Sequence, residues 1–121
     1  MIYNGHAGMG DNVEALARLA EFTRGHYQIF FVNGCDTFTY ANESLFEAHS
    51  RANPGSEPSK YMDILSNSMS NYFGWMANES FILIDALTER KNTYREILER
   101  FDPRQRPISD GEEDNAWPGP F

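Results

Sequence analysis

Tyr27-Gln28-Ile29-Phe30-Phe31-Val32, followed at once by Asn33-Gly34-Cys35, is the stretch on which the fold turns. It is short, almost wholly apolar and rich in aromatic and β-branched residues, the pattern of a strand covered on both faces, and Asn33-Gly34 marks its end. Upstream, Asp11 offers a helix N-cap with Glu14 at the capping-box position. Val13, Leu16, Leu19, Ala20 and Phe22 recur at near-helical spacing, and Gly25 supplies a stop, which predicts a helix over 11–24. Before that helix, the apolar stub Met1–Tyr3 reads as the end of a strand. It runs into Asn4-Gly5-His6-Ala7-Gly8-Met9-Gly10, where three glycines favour a tight, backbone-exposing loop. Strand, helix and strand in this order predict an α/β fold with a parallel sheet.

Downstream, the pattern predicts a helix over 42–50 carrying Leu45, Phe46 and His49, then a surface loop over 51–60 (RANPGSEPSK). Tyr61–Leu65 reads as a third short strand. A helix capped near Ser66 or Asn67 and carrying Met69, Tyr72, Phe73 and Met76 follows, with another over 79–90. Asn92 is the expected cap of a last helix bearing Tyr94, Ile97, Leu98 and Phe101, and Asp102-Pro103 closes it. This divides the chain into a domain over 1–101 and an acidic, Pro/Gly-containing C-terminal tail over 102–121. The tail's run Asp110, Glu112, Glu113 and Asp114 reads as solvated. Ala-Asn-Glu-Ser recurs at 41–44 and 77–80 without any extension of the match, so it marks no structural repeat.

The length of 121 residues with 40% hydrophobic content fits one small core, and aromatics at 14% argue against disorder throughout. A net charge of −8 repels a phosphate backbone, so nucleic acid is not an expected partner. Apolar runs such as Phe81–Ile84 fall far short of the roughly 20 residues needed to cross a bilayer, and no membrane association is expected. Cys35 is the one cysteine; an internal disulfide is therefore impossible, and a lone thiol suits a reducing, cytoplasmic setting slightly better than an oxidising one.

The chemistry centres on His6 and Cys35. Each lies in a loop after an apolar strand, with one helix between them, and two adjacent parallel strands bring such loops to one sheet edge, where open α/β sheets collect ligands. An imidazole beside a thiol can activate it as a base or protonate a leaving amine, which suits acyl transfer. The oxyanion of such a reaction needs donors: backbone N–H groups of the Gly5–Gly10 loop beside His6, that of Ala7 among them, and the amide of Cys35 are the candidates. Asp36 either forms an acidic pocket for an Arg or Lys side chain of the substrate or caps the following turn. The plain alternative is that Cys35 is a small core residue and His6 a satisfied polar side chain. His26 and His49 read as structural or surface residues. No metal site is expected, since three scattered histidines and one cysteine lack ligand spacing, and no phosphate-binding fingerprint is present.

An apolar strand, Gly-His in a glycine-rich loop, a helix, a second apolar strand and then Asn-Gly-Cys-Asp together resemble the caspase clan of cysteine peptidases, and within it the gingipain-like branch. Residues 1 to about 40 carry the resemblance, and Ala7 stands where the family commonly shows Gly. The resemblance implies a caspase-like three-layer α/β/α sandwich with a mostly parallel sheet. It implies His6 as general acid/base, Cys35 as nucleophile of a thioester acyl-enzyme, a peptide or protein substrate, and no cofactor. Family domains have sheet strands upstream of the histidine, so it further implies a partial domain completed by the rest of its own polypeptide or by a partner chain. A rival expectation is a non-catalytic, peptidase-like interaction or assembly module.

Overall fold

The computed structural model describes residues 1–90 and 92–111. Among these residues four strands, β1 (Ile2–Asn4), β2 (Gln28–Asn33), β3 (Met62–Asn67) and β4 (Pro107–Gly111), form one sheet in the order β1-β2-β3-β4. The first three are parallel, with Ile2 opposite Phe31 and Ile29 opposite Asp63; β4 runs antiparallel to β3. Helices α1 (Asp11–Leu19), α2 (Thr37–Ala52), α3 (Phe73–Glu89) and α4 (Tyr94–Leu98) complete the α/β architecture.

Alternation along the strands explains how both faces are covered. Phe30, Val32 and Ile64 join Val13, Ala17, Ala41 and Leu45 from α1 and α2 in one core cluster. Phe31 and Leu65, one residue out of phase, join Leu83, Ala86, Ile97 and Phe101 in the other, on α3, α4 and the turn after it. Phe30, Phe31 and Val32 are at most 3% exposed, so each contributes roughly 1.5–3 kcal/mol of burial. A continuous apolar run is therefore what a two-sided strand needs.

Several boundaries differ from the sequence reading. The first helix ends at Leu19, because Ala20 turns extended (φ −67°, ψ 137°) and Leu19 itself is exposed. The second begins at Thr37 rather than 42, where the Thr37 hydroxyl donates to the Val32 carbonyl at 2.6 Å and locks the turn. β3 extends through Ser66 and Asn67, and the two helices expected after it are one, α3, starting at Phe73. The cap of α4 is Thr93, in a capping box with Glu96, rather than Asn92.

The largest correction concerns the tail. Residues 107–111 form β4, paired with β3 from Asp63 opposite Gly111 to Asn67 opposite Pro107, so the domain does not stop at 101. Proline fits here as the first residue of an edge strand. Asp110 of the acidic run accepts from Asn42 Nδ2 at 2.6 Å; Glu112, Glu113 and Asp114 lie outside the described residues. Among the described residues, no helix is long and apolar enough to cross a membrane.

Candidate active site

β1 and β2 end level with one another, Asn4 opposite Asn33, so the loops that follow leave the sheet side by side. The Gly5 amide donates to the Asn33 carbonyl at 3.0 Å, continuing the pairing past the strand ends. Gly34 lets the two loops touch: a Cβ there would lie 2.4 Å from the Gly5 carbonyl oxygen and 3.6 Å from the Ala7 nitrogen. Only glycine permits that approach.

Each loop is clamped. The His6 carbonyl accepts from Tyr3 Oη and from Asn12 Nδ2, both at 2.8 Å, and the Ala7 carbonyl accepts from Gly10 and Asn12 amides as α1 begins. In the cysteine loop, Asn67 at the end of β3 grips both sides of Gly34: its Oδ1 accepts from the Gly34 amide at 3.2 Å, and its Nδ2 donates to the Gly34 carbonyl. The Asn67 backbone amide donates to the Thr37 hydroxyl oxygen at 3.2 Å, which ties the loop to the start of α2.

The outcome is a cleft of about 470 Å³ lined by His6, Ala7, Gly8, Met9, Cys35, Asp36 and Tyr40. His6 and Cys35, 29 residues apart, are exposed on this one surface. The His6 ring meets Phe73 edge-on, with centroids 4.8 Å apart and planes at 82°, and among the described residues no hydrogen bond joins it to Cys35. Ala7 is buried, and its nitrogen lies 3.6 Å from where a Cβ on Gly34 would sit. Asp36 adopts the left-handed conformation (φ 49°), stands at the N-cap position of α2 without a side-chain bond to its backbone, and accepts from the Thr39 hydroxyl at 2.9 Å while staying half-exposed at the cleft.

His26 is exposed and His49 fully buried in α2, where its ring stands edge-on to Phe22 and Nε2 lies 3.2 Å from Asn53 Nδ2. Burial pushes the His49 imidazole below its ordinary pKa. Among the described residues no group of three His, Cys, Asp or Glu side chains could hold a metal ion.

Beneath the cleft lies a polar layer that sequence reasoning missed, comprising Asn33, Asn67, Asn71, Glu79 and Gln105, all buried. Its trace in the sequence is Glu79, which falls on the inward stripe of α3 with Met76, Leu83 and Ala86. A carboxylate at core spacing announces buried partners.

No protein-family model, curated protein or solved structure matches this chain.

Proposed function

We propose that this chain carries the catalytic residues of a cysteine endopeptidase of the caspase/gingipain-like type. The observation that carries the reading is the meeting of His6 and Cys35 in one cleft at the carboxyl ends of adjacent parallel strands. Cys35 Sγ attacks the peptide carbonyl carbon, the C–N bond breaks, and His6 delivers a proton to the departing amine, leaving a thioester. Water, deprotonated by His6, then hydrolyses the thioester and the thiol regains its proton. The backbone amides of Ala7 and Cys35, two residues lining the cleft, serve as donors to the oxyanion. The half-exposed Asp36 carboxylate gives the cleft a negative wall suited to an Arg or Lys side chain.

β1 also supports the interaction role. It pairs with β2 on one side, and among the described residues no strand covers the other. Phe73, Phe81 and Ile84 of α3 are exposed, and Asn4 Nδ2 reaches Ser80 Oγ at 2.9 Å, so edge and helix face adjoin. A further strand from its own polypeptide or a partner chain would satisfy that edge.

The test is turnover of a mixed peptide library by the protein, with new termini mapped by mass spectrometry and rapid acid quenching to trap the thioester on Cys35. The reading expects cleavage that Cys35→Ala abolishes and a preference for basic side chains that Asp36→Asn weakens. Cleavage that survives Cys35→Ala, or no cleavage and no thioester in the complete protein, would overturn it.

A further inference from the structure

Glu79 takes part in no step of that chemistry, yet it is 2% exposed directly under the loops. A carboxyl group so buried is tolerated only where hydrogen-bond donors replace water. Here they are three side-chain amides: Oε2 accepts from Asn33 Nδ2 at 2.8 Å and Asn71 Nδ2 at 2.5 Å, and Oε1 accepts from Gln105 Nε2.

Each donor leads to the cleft. Asn33 lies two residues before Cys35, and its carbonyl holds the Gly5 amide, one residue before His6. Asn71 also donates to Asn33 Oδ1 at 2.6 Å, and its own Oδ1 accepts from the Tyr72 amide at 2.8 Å, fixing the start of α3 from which Phe73 meets the His6 ring. Gln105 accepts the Met69 amide on its carbonyl at 3.0 Å and so anchors the connection between β3 and α3. One carboxylate thereby ties together the nucleophile's loop, the base's loop and the ring against which the base rests.

We propose that Glu79 is the positioning residue of the His6–Cys35 pair, its carboxylate setting the base against the thiol through Asn33, Asn71 and Phe73. The proposal rests on the cysteine–histidine reading above. A carboxylate is acceptor-only on both oxygens and takes all three amides. A glutamine has one acceptor oxygen and turns its own NH₂ toward a donor. Glu79→Gln therefore keeps the size and removes the function.

The experiment measures alkylation of Cys35 by iodoacetamide from about pH 5 to about pH 9 in the native chain, Glu79→Gln, Phe73→Leu, His6→Ala, and each of the first two variants combined with His6→Ala. Thermal unfolding is recorded for all. Glu79→Gln is expected to slow alkylation about tenfold in the native background and to add nothing to His6→Ala. Phe73 is 58% exposed, so Phe73→Leu spares the fold; it should slow the reaction about threefold, again only where His6 is present. An unchanged rate in His6→Ala alone would sink the peptidase reading. With His6→Ala slowed, an unchanged rate in folded Glu79→Gln, or the same slowing with and without His6, overturns the positioning role. Should Glu79→Gln unfold, Phe73→Leu decides: slowing that depends on His6 supports the role, and an unchanged rate overturns it.

Discussion

Glu79 lies below the cleft at the carboxyl ends of β1 and β2, whereas Asp63 sits at the opposite end, near the start of β3. Both are nearly solvent-free, at 2% and 3% exposure. Their donors differ in kind. Glu79 receives amide N–H groups from Asn33, Asn71 and Gln105, all themselves buried. Asp63 Oδ2 receives the hydroxyl of Tyr94 at 2.6 Å and that of Tyr27, and Tyr27 is 42% exposed. A phenol at the surface can turn to water when its acceptor is removed; a trapped amide cannot. The sheet thus has one end whose polar groups are locked to one another, where the loops need fixing, and one end where a buried carboxylate takes one of its hydroxyl donors, Tyr27, from the surface.

The comparison is broken or upheld first by deleting each carboxylate. Glu79→Ala strands three buried donors and should cost about 4 kcal/mol, whereas Asp63→Ala should cost about 2 kcal/mol, because a wetted hydroxyl recovers part of its loss. Urea unfolding of the two variants measures both. An Asp63→Ala loss equal to or larger than that of Glu79→Ala would contradict the distinction.

A pH titration sharpens the phenol end. Burial, followed by the hydrogen bond to Asp63 and its charge, raises the Tyr94 phenol well above its ordinary 10.0. With the folded pKa above the unfolded one, the contribution to stability is complete below pH 10 and is lost as pH climbs beyond it. The urea midpoint of the native chain should therefore fall on the alkaline side. Tyr94→Phe should flatten that fall while costing about 1 kcal/mol at neutral pH. An equally steep fall in Tyr94→Phe would remove Tyr94 from the account.

The smallest effect expected is on the acid side, at a site belonging to neither end. His49 is neutral in the fold because burial lowers its pKa from 6.5. Its effect on stability is nil above that pH, and stability declines as pH falls below it, where the unfolded chain binds the proton first. Unfolding followed from about pH 7 to about pH 5 should show a decline in stability that is absent in His49→Gln.

The two ends also differ in how legible they were. β2 announced itself because YQIFFV is buried on both faces and must be continuously apolar, and β1 and α1 followed from the glycine loop and the Asp11 start. The neighbourhood of His6 and Cys35 was readable as topology alone, since residues after adjacent parallel strands share an edge. β4 was unreadable: Pro-Ile-Ser-Asp-Gly has no apolar alternation, and its place comes from backbone pairing with β3. Gly111 fits there closely, since a Cβ would lie 2.2 Å from Asp63 Oδ1. Asn71 and Gln105 were equally silent, because isolated amides read as surface residues until partners from distant segments are assembled around Glu79, and Asn33 and Asn67 were legible only as a strand end and a helix cap.

The central claim, that His6 and Cys35 act as a pair, is tested most directly by the pH profile of Cys35 alkylation in the native chain and in His6→Ala. At neutral pH the native thiol should be alkylated about tenfold faster than the thiol of His6→Ala, because a paired imidazole can take its proton. Identical profiles in the two folded proteins would contradict the pair.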